Sequence, residues 1–228
     1  MSHHHSPVVV QFTQEFWDER YRSAEKVWSG QPNPQLVTQT ADLAPGEALD
    51  VGSGEGADAI WLARHGWTVT AVDVSAVALE RAAGYAAAAG DEAAGRITWR
   101  REDLRSSDPG SWDPGSWDLG PQRFDLVSAQ FMYLPGAELE SLHRRLAAAV
   151  RPGGTLLVVG HHPDDLHANV GRKGSADMFW SAKELAAAVL DPGEFEVLVA
   201  ADIGRSATDV DERPVTVKDT VLRASRRR

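Results

Sequence analysis

The sequence has no cysteine, and this absence excludes several kinds of chemistry at once. Disulfide scaffolds, thiolate zinc sites, iron–sulfur clusters and a cysteine nucleophile all require the thiol group. Positive charge is also scarce, because 23 lysines and arginines stand against 33 aspartates and glutamates, giving a formal net charge of -10. An acidic surface repels phosphate backbones, so we expect no nucleic acid as substrate or partner.

Long apolar runs are missing as well. No stretch approaches the roughly 20 apolar residues that span a bilayer, and the apolar run at residues 8–10 is too short for the core of a secretory leader. We therefore expect no membrane partner and a cytoplasmic location. Residues 1–10 include the histidine run 3–5 and are predicted to be disordered or tag-like. The length of 228 residues suits a single domain, predicted over residues 11–228.

Strands and helices alternate along most of the chain, as hydrophobic periodicity and the Gly and Pro breaks indicate. The predicted strands are residues 48–51, 68–73, 96–101, 124–131, 154–160, 195–201 and 214–224. The predicted helices are residues 11–22, 34–43, 57–65, 75–89, 138–150 and 181–190, with an N-cap at Ser75 and a capping box of Ser181 and Glu184.

This alternation predicts an α/β fold with a mostly parallel sheet and helices on both faces. The last two strands have no helix between them, so they are predicted to form an antiparallel hairpin at one edge.

The segment that carries most information is Asp-Val-Gly-Ser-Gly-Glu-Gly at residues 50–56, between a predicted strand and a predicted helix. Gly52 and Gly54 allow close approach of the backbone to a ligand, and the N–H groups at the start of the helix favour a carboxylate or phosphate. Asp73 ends the next strand about 20 residues later, where a carboxylate can accept hydrogen bonds from ribose hydroxyls. Together these features predict a crevice for a cofactor that carries a nucleoside.

The residues alone leave the identity of that cofactor open. The pattern Gly52-x-Gly54-x-x-Ala57 also satisfies a relaxed dinucleotide fingerprint, so an NAD(P)-binding oxidoreductase is one alternative. Asp50, two residues before Gly52, suits a cationic or amine group better than a pyrophosphate, and little chain remains for a separate catalytic domain. A cofactor-binding protein without catalysis is the other alternative.

Five motifs in order resemble those of the class I S-adenosylmethionine-dependent methyltransferases. They are the segment 50–56, Ala-Val-Asp-Val-Ser at 71–75, Arg-Glu-Asp-Leu at 101–104, Phe-Asp-Leu-Val-Ser at 124–128, and Val-Arg-Pro-Gly-Gly-Thr-Leu-Leu at 150–157. The runs at 16–21 and 28–33 are further similar to the small-molecule subgroup that includes tellurite-resistance and thiopurine methyltransferases.

The resemblance implies a Rossmann-like, seven-stranded sheet with a C-terminal antiparallel hairpin. It also implies that residues 11–44 form a helical cap over the cofactor. The cofactor would be S-adenosyl-L-methionine, with S-adenosyl-L-homocysteine as its product.

The resemblance also assigns roles around the methionine and ribose parts of the cofactor. Asp50 would face the methionine amino group, directly or through water. Gly52 and Gly54 would lie against the methionine and ribose, and Asp73 would bind the ribose hydroxyls. Trp17 and Tyr21 of the N-terminal helix would lie over the cofactor.

The remaining cofactor roles concern the adenine and the sulfonium. Val74 and Leu104 would pack on the two faces of the adenine, and Asp103 would accept from its amino group. Gln130 and Phe131, at the end of the fourth strand, would border the sulfonium.

The acceptor side is predicted less specifically. Phe131, Tyr133, Trp180 and Arg172 are candidates for the substrate pocket, although aromatic residues of this kind serve equally well in a core. The loop 163–177 is a candidate lid. The tandem pentapeptide at 108–112 and 113–117 is interpreted as a surface insertion, or as a flap that uses Trp112 and Trp117.

Histidines are the candidates for a general base, which is needed only if the acceptor is protonated at working pH. His161 and His162 follow the fifth strand at the ligand-binding edge of the sheet, so they are the predicted catalytic residues. His65 and His143 lie in predicted helices and are expected on the surface. The spacing of the histidines at 161, 162 and 167 is not a strong ligand signature, and we expect no metal.

These observations together predict transfer of a methyl group from the sulfonium to an S, N or O atom of a small, hydrophobic molecule by in-line displacement. They leave the acceptor open, as well as the choice between a monomer and a homodimer.

Overall fold

The computed structural model describes residues 12–103, 121–172 and 174–228. Its helices are α1 (Gln14–Arg22), α2 (Pro34–Thr40), α3 (Ala57–Arg64), α4 (Ala76–Ala89), α5 (Asp91–Gly95), α6 (Gly136–Ala149) and α7 (Ala182–Val189). Its strands are β1 (Glu47–Val51), β2 (Thr68–Asp73), β3 (Ile97–Arg101), β4 (Phe124–Gln130), β5 (Val150–His161), β6 (Phe195–Thr208) and β7 (Pro214–Arg226). Two 3₁₀ helices, Pro163–His167 and Ala176–Met178, lie between β5 and α7. Leu104, Lys173 and the tandem pentapeptide lie outside the described residues.

The described strands form one sheet in the order β3-β2-β1-β4-β5-β7-β6. Strands β1 to β5 pair in parallel, whereas β7 runs antiparallel to both β5 and β6. The predicted α/β class, the mostly parallel sheet and the C-terminal hairpin are therefore confirmed. Because strand order reverses between β1 and β4, the carboxyl ends of these strands border a crevice of the kind that binds ligands in open α/β sheets.

Side chains of alternate strand residues pack on opposite faces of the sheet, as a period of two requires. In β5, Leu156 and Val158 belong to the core on one face, together with Leu142 of α6 and Leu185 of α7. Leu157 and Val159 belong to the core on the other face, where the α3 side chains pack. Burial on both faces explains why the parallel strands are almost continuously apolar.

The predicted helix starts at α4 and α7 are confirmed in atomic detail. The Ser75 hydroxyl accepts the Ala78 N–H at the start of α4. At α7, the Ser181 hydroxyl accepts the Glu184 N–H, and the Glu184 carboxylate accepts the Ser181 N–H in return. Sequence alone predicts these helix starts because a capping side chain and its backbone partner are only three residues apart.

A third, aromatic cluster joins the N-terminal helix to the segment after β5. Phe12 packs with Met178 and Phe179, and Trp17 and Tyr133 lie against them. Helices α1 and α2 both lie within residues 11–44, the segment that is predicted to form a helical cap over the cofactor. The domain boundaries themselves stay predictions.

Besides small shifts of element ends, such as β5 beginning at Val150 instead of 154, the structure differs from the sequence-based expectation at β6, α5 and His143. Strand β6 continues to Thr208 instead of ending at 201, because it pairs with β7 over its whole length. Helix α5 was not expected. The expected surface position of His143 is wrong, since the residue is 2% exposed and shares a face of α6 with Leu139 and Leu146. Among the described residues, no helix has the length and apolar character needed to cross a membrane.

Candidate functional site

The turn between β1 and α3 requires glycine at alternate positions. Gly52 and Gly54 have φ angles of 70° and 52°, in the left-handed region that residues with a Cβ atom rarely adopt. A Cβ atom at Gly54 would lie 2.8 Å from the Tyr21 hydroxyl, and one at Gly52 would lie 2.6 Å from the Met132 sulfur. The turn is thus enclosed by α1 on one side and by the end of β4 on the other.

Asp73, at the end of β2, is held by the backbone of this turn and of the next helix. Its two carboxylate oxygens accept the Gly54 N–H and the Ser75 N–H, each at 2.8 Å. Burial raises the pKa of Asp73 above its usual value, although these N–H groups and that of Val74 oppose the shift. A carboxylate has about four lone-pair positions, so Asp73 keeps capacity to accept a hydrogen bond from a ligand.

Two more carboxylates lie beside the glycine turn. Asp50 is 1% exposed, and its Oδ2 atom has no hydrogen-bond partner among the described residues. Burial, with the nearby charges of Asp58 and Asp73, raises the pKa of Asp50 well above its usual value. Burial also raises the pKa of Asp58 to about 6, although Asp58 accepts the Asn33 N–H at 2.6 Å. An ammonium group placed here would relieve both charges, because a nearby cation favours ionised carboxylates.

The segment between α1 and α2 closes over the glycine turn. The buried Glu55 carboxylate accepts the N–H groups of Val27 and Trp28 and pairs with Arg81 of α4 at 3.1 Å. The Trp28 indole donates to the Tyr21 hydroxyl at 3.1 Å. The Glu55 contacts join residues more than 25 positions apart in the chain. They therefore fix the position of residues 23–33, which form the covering segment.

The covering segment is also joined to the end of β4. The Asn33 side-chain amide donates to the side-chain oxygen Oε1 of Gln130 at 3.0 Å. The Gln130 side-chain nitrogen Nε2 donates in turn to the Ser128 hydroxyl at 2.7 Å. Phe131 follows with a φ angle of 50°, which is uncommon for a residue with a side chain and turns the chain sharply. Residues 131–133 are thereby directed toward the crevice.

The glycine turn, the covering segment and the end of β4 border a cavity of about 760 Å³. One end is lined by the glycine turn with Asp58, Asp73, Val74 and Asp103. The other end is lined by aromatic rings and cations, namely Phe12, Trp17, Phe131, Tyr133, His161, Arg172 and Arg205. Phe12 and Tyr133 stack with ring centroids 4.9 Å apart. The cavity therefore has a polar end and an aromatic end.

The two histidines predicted as bases occupy different places. His161 lines the cavity, and burial together with Arg172 and Arg205 lowers its pKa to about 3. His162 is not among the cavity-lining residues, because its Nδ1 accepts the Asp164 N–H and its Nε2 lies 3.6 Å from the Asp202 carboxylate. The structure thus brings only His161 to the site.

Most of the other predicted site residues meet at the cavity. Those that line it are Trp17, Tyr21, Gly52, Gly54, Asp73, Val74, Asp103, Gln130, Phe131, Tyr133 and Arg172. Asp50 is buried behind the lining. Trp180 borders a separate cavity of about 30 Å³ beside His143, and its indole donates to the Asp177 carbonyl.

The methyltransferase domain family matches residues 49–156, just under half of the chain, and this range contains the glycine turn and Asp73. The match, together with the shared fold of the solved structures, supports a class I S-adenosylmethionine-dependent methyltransferase. This family uses S-adenosylmethionine as its methyl donor, as the motif order predicts.

Two curated methyltransferases match parts of this chain. The chain is 35% identical over 86 residues to the 2-heptyl-1-hydroxyquinolin-4(1H)-one methyltransferase of Mycobacteroides abscessus, and the match covers 34% of this chain and 38% of that enzyme. The ribosomal RNA small subunit methyltransferase C of Alcanivorax borkumensis is 57% identical over 35 positions, covering 15% of this chain and 11% of that enzyme. The matches thus span well under half the length of either relative.

Solved structures share the fold over nearly the whole methyltransferase. The N-methyltransferase NodS from Bradyrhizobium japonicum, in complex with S-adenosyl-L-homocysteine, has a TM-score of 0.66 at 16% identity and covers 95% of this chain and 99% of its own. A protein solved in work on the conversion of a disulfide bond into a thioacetal group during echinomycin biosynthesis has a TM-score of 0.68 at 22% identity, covering 94% and 91%.

The methyltransferase site contains residues that the sequence reasoning did not single out. Asp58 was detectable as an acidic residue in the first turn of α3, where carboxylates are favourable. Glu55, Asn33 and Arg205 carry no such local signal, because their roles depend on contacts with distant segments. The geometry fits the family's methyl donor, since an unpartnered buried carboxylate oxygen at Asp50 and an anchored carboxylate at Asp73 flank a turn that has no side chain at Gly52 and Gly54.

Proposed function

We propose that this methyltransferase transfers the methyl group of S-adenosylmethionine to an S, N or O atom of a small, hydrophobic molecule by in-line displacement. The observation that supports this is one continuous cavity, polar at the glycine turn and aromatic at its other end. Its volume of about 760 Å³ falls within the range of small-molecule sites and has room for a nucleoside beside a small acceptor.

In this proposal the polar end holds the donor. Asp73 accepts the ribose hydroxyls. Asp50, which lies behind the cavity lining, faces the methionine ammonium group directly or through water, with Asp58 beside it. Val74 packs on the adenine, and Asp103 accepts from its amino group. Leu104, proposed for the other adenine face, lies outside the described residues.

The aromatic end of the cavity orients the acceptor and excludes water. When bound, S-adenosylmethionine supplies a methyl carbon made electrophilic by the positive sulfur. Gln130 and Phe131 border that position, and Trp17 and Tyr21 cover it from α1. Proximity and orientation of this kind supply about 7–11 kcal/mol of the barrier reduction, so positioning is the main task of these side chains.

Of the two curated relatives, the one that matches the longer stretch of the chain has a name that agrees with a small acceptor, whereas the other is named for ribosomal RNA. The relative from Mycobacteroides abscessus acts on 2-heptyl-1-hydroxyquinolin-4(1H)-one, a flat aromatic molecule with an alkyl chain. The acidic composition and the aromatic cavity of the present chain suit such a molecule better than a nucleic acid. The cytoplasmic location, the absence of a nucleic-acid partner and the oligomeric state stay predictions.

Calorimetry with S-adenosylhomocysteine and with NADH tests the donor. We expect S-adenosylhomocysteine to bind at micromolar concentration and NADH not to bind, whereas binding of NADH alone would support an oxidoreductase instead. Transfer of labelled methyl groups to a panel of thiols, phenols and N-heterocycles then tests catalysis. Binding of S-adenosylhomocysteine without product from any class would favour a cofactor-binding protein over an enzyme.

A further inference from the structure

Two arginines from different parts of the fold meet at the aromatic end of the cavity. Arg172 follows the 3₁₀ helix after β5, and Arg205 lies on β6. Both line the cavity and both lower the pKa of His161, so their charges lie close to the same ring. The aromatic rings of Phe12 and Tyr133 line the same end.

Buried carboxylates fix the orientation of both guanidinium groups. Arg205 donates through Nε to both oxygens of Asp219 at 3.0 Å. Arg172 donates to Asp165 at 3.3 Å, and Asp165 in turn accepts the Lys218 N–H at 2.9 Å. Asp165 and Asp219 are 2% and 4% exposed, so each arginine is tied to a rigid part of the sheet or its margin.

These pairings leave hydrogen-bond donors for a ligand. Arg172 contacts Asp165 through one terminal nitrogen, which leaves its other terminal nitrogen for a ligand. Arg205 contacts Asp219 through Nε alone, which leaves its two terminal nitrogens available for a planar, bidentate partner. An anionic ligand that accepts from these nitrogens would form charge-assisted hydrogen bonds.

The same surroundings make a general base at this end unfavourable. Protonation of His161 would place a third positive charge beside Arg172 and Arg205 in a partly buried site. The other titratable groups around this region, among the described residues, include Tyr133, Asp165, Asp219 and Arg20, whose charge acts on Tyr133, and both carboxylates are engaged by Arg172 and Arg205. An acceptor that is already an anion needs no base.

We propose that the acceptor is a flat aromatic molecule with an acidic hydroxyl group, bound as its anion by Arg172 and Arg205 and methylated on that oxygen. This inference rests on the proposed function. An electron pair of the ionised oxygen forms the new O–CH₃ bond, and the electron pair of the broken S–CH₃ bond stays on sulfur. The hydroxyl proton leaves to solvent before the transfer, so no proton moves in the step itself.

A chromogenic probe tests this proposal without turnover. The visible absorbance of 4-nitrophenol reports its ionised fraction, so it is titrated with pH in the presence of the protein and S-adenosylhomocysteine. We expect its pKa to fall by about one unit or more on binding, because guanidinium donors that hydrogen-bond the phenolate oxygen favour the ionised form even though each arginine is paired with a carboxylate. This equals at least tenfold tighter binding of the phenolate than of the phenol. The neutral analogue 4-nitroanisole is expected to bind independently of pH.

Paired substitutions test the two arginines without leaving a buried charge alone. Arg205→Met with Asp219→Asn, and Arg172→Met with Asp165→Asn, are each expected to abolish most of the shift while keeping the affinity for 4-nitroanisole. Arg144→Met is the matched control, since Arg144 pairs with Glu140 on the surface. Arg205→Lys keeps the charge and is expected to retain part of the shift.

The outcomes separate this inference from the proposed function. If S-adenosylhomocysteine does not bind, the proposed function itself fails. If it binds but the pKa of 4-nitrophenol is unchanged or raised, or 4-nitrophenol does not bind, the anion proposal is wrong. Labelled methyl transfer to thiols or amines would then leave the proposed function intact. The measurement on the unsubstituted protein decides these points even if a paired variant does not fold.

Discussion

Asp73 shows how a single carboxylate serves both the fold and the ligand site. It holds the glycine turn through the Gly54 N–H and the start of α4 through the Ser75 N–H. Both bonds come from backbone groups, so the carboxylate is oriented before any ligand arrives. Pre-organisation of this kind increases affinity because binding then orders fewer groups.

We predict that Asp73→Ala weakens binding of S-adenosylhomocysteine at least tenfold while the protein stays folded. The physical reason is the loss of a charged acceptor for the ribose hydroxyls, together with a less well-held turn. Asp73→Asn keeps one oxygen acceptor and separates these two effects. Calorimetry with S-adenosylhomocysteine and its 2′-deoxy analogue provides the measurement.

The unsubstituted protein is expected to discriminate between the two ligands, and Asp73→Asn to discriminate less. Thermal unfolding of each variant is the control for folding. An unchanged affinity in Asp73→Ala would contradict the assigned ribose role.

At the scale of elements, Glu55 ties three parts of the chain together. It lies in the glycine turn, accepts N–H groups from the segment between α1 and α2, and pairs with Arg81 of α4. Its side chain is almost fully buried, so these hydrogen bonds are poorly replaced by water. This carboxylate therefore holds the covering segment at Val27 and Trp28, while Asn33 holds its other end through Asp58 and Gln130.

We predict that Glu55→Gln loosens the covering segment without unfolding the domain. Loss of charge-assisted hydrogen bonds is expected to lower the local opening free energy at Val27 and Trp28 by about 1.5–3 kcal/mol. Hydrogen exchange of these amides should then become at least tenfold faster, and affinity for S-adenosylhomocysteine should fall. Glu92→Gln is the control, because Glu92 forms an exposed ion pair with Arg96. Equal exchange in both variants would show that Glu55 does not hold the segment.

The elements that sequence predicts well are those specified by nearby residues. The glycine turn, the capping box of α7 and the apolar parallel strands depend on patterns a few residues long, and the structure places them as expected. Arg205 and Asp219 are 14 residues apart in sequence and meet because Ile203 pairs with Asp219 across the hairpin. No local pattern encodes that register, and the predicted strand ended before Arg205.

His143 illustrates a different limit of sequence reasoning. It lies four residues after Leu139 and three before Leu146, a spacing that places all three on one face of a helix. The periodicity therefore favoured burial, whereas the polarity of histidine favoured the surface. Tertiary packing prevailed because α6 covers the sheet with this face.

At the scale of the whole molecule, buried neutral histidines couple folding to pH. Burial lowers the pKa of His143 to about 4, and burial with two arginines lowers that of His161 to about 3. In the unfolded chain a histidine titrates near pH 6.5. Between the folded-state pKa values and pH 6.5, the unfolded state therefore binds more protons than the folded state. Stability contributed by these groups is present above pH 6.5 and is lost as pH falls toward 4.

We predict that His143 makes the protein about 2 kcal/mol less stable at pH 5 than at pH 8, and that His143→Leu removes this component. Denaturant unfolding at the two pH values measures it. Asp50 and Asp58 have raised pKa values and act with the opposite sign, so the prediction concerns the difference between the variant and the unsubstituted protein. Leu139→Met alters packing on the same face without removing a titratable group, and it should shift stability equally at both pH values. The same pH dependence in the protein with and without His143 would show that this histidine is not buried in its neutral form.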